Sequence, residues 1–185
     1  MPVLVTFLRG INVGGHAIVK MDALRALFVS LKFRDPQTYV QTGNIVFKTS
    51  ERSLPAIAVT IQRAIEKKFA CRPEVILRTV EELRAVVARN PFAERPKIEP
   101  GKLLVSFLAE APAQDAAEKL RLMAISPEEL HLLNREIYIY FPNGMGKSKL
   151  PWSRLDKLLK TPGTGRNWNS VNAILAMAEK LQAQK

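Results

Sequence analysis

Short apolar runs alternate with stretches of helical period along this chain, and the alternation follows nearly the same order twice. Residues 3–8 (VLVTFL) are an unbroken apolar run, which predicts a central strand. Residues 21–33 (MDALRALFVSLKF) carry apolar side chains at helical spacing, with Asp22 near the positive start of the helix. TYVQ (38–41) and NIVFK (44–48) predict two strands joined by a tight turn at Thr42-Gly43. Residues 53–70 predict an amphipathic helix, with Ser53 as its N-cap and Pro55 in its first turn. PEVILR (73–78) is the next strand, which completes the order β-α-β-β-α-β of the ferredoxin-like split pattern.

The second half starts in the same way. Thr79-Val80-Glu81-Glu82 reads as a capping box opening a helix over 80–89, which stops at Asn90-Pro91-Phe92. After a proline-bearing loop (91–100), KLLVSFLA (102–109) predicts a strand and residues 113–123 a helix. ELHLL (129–133) and EIYIYF (136–141) predict a hairpin turning at Asn134-Arg135. Residues 151–160 and 169–182 predict two helices, so this half reads β-α-β-β-α with a final helix where a closing strand is expected. The expected fold is α+β: two ferredoxin-like halves, residues 1–78 and 79–185, in one compact unit ending in a C-terminal helix. A single mixed sheet is the alternative.

Composition narrows the function classes. With 47% hydrophobic and 24% charged residues, the chain has the make-up of a folded soluble domain. No apolar run reaches the roughly 18–20 residues of a membrane span, and MPVLVTFLRG lacks the basic start of a leader, so the expected location is cytoplasmic. Cys71 is the one cysteine and His16 and His131 the two histidines, too few for a zinc site of the usual type. No metal or cofactor is expected, and Cys71 reads as a structural or surface thiol. The net charge of +11 points to anionic partners, either nucleic acid or phosphorylated small molecules. From Ile137 to Ala178 the cations are Lys147, Lys149, Arg154, Lys157, Lys160 and Arg166, and the only acid is Asp156. A solvated basic face is the plainer reading of that run.

Four glycine- and asparagine-rich stretches are the candidate sites: LRGINVGG (8–15), QTGN (41–44), FPNGMGKSK (141–149) and TPGTGRNWN (161–169). Gly146-Lys147-Ser148 invites a P-loop reading, but Phe141 stands where the first P-loop glycine belongs and Pro151 where the helix should already run. A simpler anion-binding loop of Gly144, Gly146, Lys147 and Ser148 fits better, beside the reading of a turn with solvated lysines. Arg9, past the first strand, either pairs a carboxylate or meets a ligand, and Asn12 with Gly14 and Gly15 suits a tight bend. Gln41, Thr42 and Asn44 match turn chemistry. Asn167 or Asn169 can cap the last helix, whereas Thr164 and Arg166 have no obvious local task. Tyr138 and Tyr140 share one strand face, which suits base stacking if exposed and a half-buried strand otherwise. His16 could serve as a base, although a surface loop histidine is commoner. There is no paired-carboxylate motif, nucleophile elbow or zincin helix.

Taken together and in this order, LRGINVGG, YVQTGNIVF, NPF, EIYIYFPNGMGKSKL and TPGTGRNWNSV resemble the bacterial family called domain of unknown function 1697. The resemblance spans nearly the whole chain and implies an α+β fold with ferredoxin-like halves, without a settled activity. His16 and Ala17 depart from the polar or basic pair of the family pattern. The motif positions it carries over are Arg9, Gly10, Asn12, Gly14, Gly15, Gln41, Gly43, Asn44, Gly144, Gly146, Lys147, Ser148, Arg166 and Asn167, as candidates for one pocket. Three functions stay open: binding of an anionic ligand, an enzyme acting on a phosphorylated or nucleotide substrate, and a protein-interaction module whose motifs only hold the fold.

Overall fold

The computed structural model describes residues 1–15, 17–123 and 127–184. Its contacts group the chain into two compact units, Met1–Ala85 with Ala173–Lys185, and Val86–Asn172.

The first unit contains β1 (Val3–Arg9), α1 (Met21–Ser30), β2 (Arg34–Tyr39), β3 (Asn44–Lys48), α2 (Leu54–Phe69) and β4 (Glu74–Thr79). The strands form one antiparallel sheet in the order β2-β3-β1-β4. Its centre is β1, as the apolar run requires, with Thr6 opposite Ile45 on one side and Leu77 on the other. Leu4, Leu8, Ile45, Phe47 and Leu77 meet Leu24, Leu27 and Phe28 of α1 and Ile57, Ile61 and Ile65 of α2 in one core. The i, i+4 spacing of those three isoleucines puts them in one stripe, and each fully buried side chain of this size contributes about 1.5–3 kcal/mol. Phe28, Phe33 and Phe47 pack ring on ring, with centroids 4.6–5.6 Å apart. On the opposite face Val3, Val5, Phe7, Val46, Ile76 and Arg78 are buried too.

Ser53 caps α2 by accepting from the Ala56 amide at 3.3 Å. The capping box after β4 is reciprocal: the Thr79 amide donates to Glu82 at 2.9 Å and the Glu82 amide to Thr79 Oγ1 at 3.1 Å. It opens α3 (Val80–Ala88). The strand expected at residue 38 begins at Arg34 instead. Its polar first half hides it, because Asp35 bulges at φ 51° and the register shifts between Arg34 and Gln37. An edge strand tolerates Pro36 there. Helix α1 stops three residues short of the expected end, where Lys32 takes a φ of 65°.

The second unit contains β5 (Leu103–Leu108), α4 (Ala116–Met123), β6 (Glu129–Leu133), β7 (Glu136–Tyr140), α5 (Trp152–Leu159) and β8 (Gly163–Asn167), followed by the start of α6 (Trp168–Ala183). Its antiparallel sheet runs β6-β7-β5-β8, the same order as in the first unit. Two separate sheets therefore replace the single-sheet alternative. The closing strand absent from the sequence reading is β8, built from GTGRN where a turn was expected at Pro162-Gly163. Its glycines answer to crowding. A Cβ on Gly163 would come within 2.9 Å of Leu108 Cδ2, and one on Gly165 within 3.0 Å of the Leu104 methyls. The alternate residues, Thr164 and Arg166, are buried on the other face.

The repeat extends to side chains. VLVTFL in β1 matches LLVSFL in β5. Arg78 lies opposite Val5, and Arg166 lies opposite Val105.

Candidate functional site

In the first unit the motif residues build a loop cluster. The left-handed φ of 53° at Asn12, a conformation this short polar residue tolerates, turns the chain after Ile11. Its carboxamide donates to the carbonyls of Val19 (3.0 Å) and Gln41 (2.8 Å), and its Oδ1 accepts the Val19 amide at 2.7 Å. Asn12 thus pins the 10–20 loop to the tip of the β2–β3 hairpin. The tip is made of residues 40–43 rather than the two-residue turn expected. Asn44, fully buried, closes it by donating to the Tyr39 carbonyl at 3.1 Å and to Thr42 Oγ1 at 2.9 Å. Gly43 has a φ of +77° and lies against Leu8, where a Cβ would approach to 2.8 Å. Gly14, Gly15 and Gln41 are exposed. Arg9 is half-buried at the end of β1, in register with Glu74 of β4. His16 lies outside the described residues.

In the second unit the glycine loop after β7 folds on itself. The amides of Gly144, Lys147 and Ser148 donate to the carbonyls of Phe141, Gly144 and Met145, and the Leu150 amide donates to Ser148 Oγ. A phosphate cradle needs such amides pointing at the ligand, so this loop does not have the P-loop arrangement. Gly146 and Lys147 are exposed on the turn Met145–Lys147. Arg166 is buried, with Nη1 donating to Thr164 Oγ1 and to the Gly165 carbonyl, both at 2.8 Å. Desolvation pushes its pKa down to about 10. Arg78, which the sequence reading did not single out, has the same habit and donates to its own preceding carbonyl, that of Leu77, at 2.8 Å. Asn167 caps α6 by accepting the Ser170 amide at 2.8 Å. Tyr138 and Tyr140 are both buried; the Tyr138 hydroxyl donates to the Val86 carbonyl at 2.7 Å, and desolvation pushes its pKa up. They form no stacking platform.

One run of exposed cations in this unit lies between Lys147 and Lys160, around α5. Leu155 and Leu159, one helical turn apart, enter the core with Phe141 and Leu150. This leaves Arg154 and Lys157 in solvent, along with Lys147, Lys149 and Lys160. Trp152 opens α5 and is 42% exposed, its ring 6.0 Å from that of Phe141 and tilted by 36°. Sequence reasoning missed Trp152. The available signal was an aromatic interleaved with Lys147, Lys149, Arg154 and Lys157.

Two open pockets lie among the described residues. One, of about 700 Å³ in the first unit, is lined by residues including Lys32, Arg34 and Asp35. The other, of about 360 Å³ in the second unit, is lined by residues including Phe92, Arg95 and Trp168. Neither lining includes any motif position carried over above. Among the described residues, no group of His, Cys, Asp and Glu could hold a metal ion, and no helix is long and apolar enough to cross a membrane.

These features define an α+β protein with two four-stranded antiparallel sheets, six helices among its described residues and a helical C-terminal segment. The chain belongs to the family described as "Protein of unknown function (DUF1697)", which matches residues 1–138. Its fold is similar to that of a conserved bacterial protein from Streptococcus pneumoniae, with a TM-score of 0.70 and 21% identity over 96% of this chain and 98% of that one. None of the curated proteins matches the chain.

Proposed function

We propose that this protein binds single-stranded nucleic acid, using the surface formed by the turn Met145–Lys147 and α5. The observation that carries the reading is the exposed Trp152 ring among exposed Lys147, Lys149, Arg154 and Lys157. Lysine and arginine meet phosphates, while an aromatic face stacks bases of any sequence. The excess of +11 would draw a polyanion in from a distance. In this reading Lys147 is a ligand contact, and Arg9, Asn12, Asn44, Arg166 and Asn167 hold the fold. Each half is a ferredoxin-like unit, and the location is cytoplasmic. The strand order shared by the two sheets supports the repeat.

The test is fluorescence anisotropy with a labelled single-stranded oligonucleotide, repeated over a range of salt concentrations. Stacking of one base is worth about 1–3 kcal/mol, so Trp152→Ala should weaken binding by about five- to 150-fold. Lys147→Gln and Arg154→Gln should each flatten the slope of log affinity against log salt by about 0.7. Wild-type affinity retained in Trp152→Ala with an unchanged salt slope in the lysine and arginine variants would overturn the reading.

A further inference from the structure

We propose that the cavity of the second unit binds a small apolar carboxylate, an aromatic or branched acid. This proposal is independent of the nucleic-acid reading. The cavity of about 360 Å³ lies within the roughly 300–1,000 Å³ range of small-molecule sites. Its walls are mostly apolar and include Ile98, Leu103 and the rings of Phe92 and Trp168. Two polar side chains line it, Asn90 and Arg95.

Both of them offer donors. Asn90 Oδ1 already accepts the Phe92 amide at 3.0 Å, which leaves the two N–H groups of Nδ2. Arg95 lies over the Phe92 ring, 5.4 Å from its centroid, and Nη1 donates to Glu129 at 2.7 Å. A guanidinium has five N–H groups, so Nε and Nη2 are left to bind something else. The Arg95 side chain is about half exposed, and the Glu129 contact and the ring beneath orient its guanidinium.

A mostly apolar pocket with a guanidinium and a carboxamide on its wall selects a ligand with an apolar body and an acceptor head. A carboxylate matches the planar fork of Arg95 and its charge. An ammonium group would face that cation. A neutral hydrocarbon would leave the donors unanswered, and a sugar phosphate would strand its hydroxyls against Ile98 and Leu103. The position in the chain supports a site as well. The 91–100 loop joining α3 to β5, which supplies Phe92, Arg95 and Ile98, is long for a compact domain.

The probes are 3-phenylpropanoate and its uncharged twin, 3-phenylpropanamide, titrated into the ¹⁵N-labelled full chain carrying Trp152→Phe. That substitution leaves Trp168 as the one indole signal. The expected result is a saturable shift of the Trp168 indole and the Phe92 and Ala93 amides with the acid, and binding at least about tenfold weaker with the amide. Arg95→Gln should weaken the acid by about the same factor while leaving the rest of the spectrum in place. Ala93→Phe, at an exposed lining position, should block the cavity without touching the core. The proposal is overturned if these signals stay still at millimolar acid. It is equally overturned if acid and amide bind alike, or if Arg95→Gln and Ala93→Phe both bind like the parent.

Discussion

Thr6 provides a sharp test of the packing in the first unit. It sits in the middle of β1 with no exposed surface, opposite Ile45 and Leu77, and its hydroxyl has no hydrogen-bond partner among the described residues. A buried hydroxyl left unpaired costs about 1–3 kcal/mol of desolvation. Valine has the same branched shape with a methyl in place of that oxygen. Thr6→Val should therefore stabilise the protein by about 1–2 kcal/mol. In a chain of this size each kcal/mol raises the melting temperature by about 2–4 °C, so the expected rise is about 2–8 °C. The assay is differential scanning calorimetry at neutral pH, checked by urea unfolding to confirm that the denaturant slope is unchanged. Thr49→Val is the matched control. Thr49 is 2% exposed, but its hydroxyl accepts the Glu51 amide at 3.1 Å, so losing that bond should cost about 0.5–1.5 kcal/mol. If Thr6→Val lowers the melting temperature as far as Thr49→Val does, the Thr6 hydroxyl has a partner and the reasoning fails.

Gly163→Ala and Gly165→Ala should each destabilise by about 1–3 kcal/mol through overpacking. Gly101→Ala, with nothing within 4 Å of the new Cβ, should stay within about 0.5 kcal/mol; urea midpoints of the three separate crowding from a general glycine effect. Asn12→Ala removes three hydrogen bonds and should lower stability by about 2–3 kcal/mol, with limited proteolysis showing faster cleavage within residues 10–20. Partial burial raises the Cys71 pKa above its ordinary value. The folded thiol is thus less ionised than the unfolded one as pH climbs through the ordinary thiol range, and the contribution to stability present below that range is lost above it. Iodoacetamide at pH 8 should accordingly alkylate Cys71 more slowly in the native protein than in urea, and equal rates would contradict the burial.

The sequence by itself determined most of the element order. Strong periodicity placed β1, α2, β5 and the β6–β7 hairpin, and local chemistry placed the Ser53 cap and the Thr79–Glu82 box and narrowed the α6 cap to Asn167 or Asn169, because each acts within three residues. β8 was illegible. Pro162 and the Gly-Thr-Gly start of the strand read as a turn, and only contact with Leu104 and Leu108 of β5 explains why glycine belongs there. The start of β2 was hidden in the same way by its bulge. For the candidate site, residue type marked which side chains are polar and basic. Tertiary structure decided which of them reach solvent: Arg166 and Tyr138 are buried in their sheet, whereas Trp152 and Lys147 are exposed. Hydrogen bonds and spacing along a few residues are written in the local sequence. Burial depends on what the distant chain brings against each face.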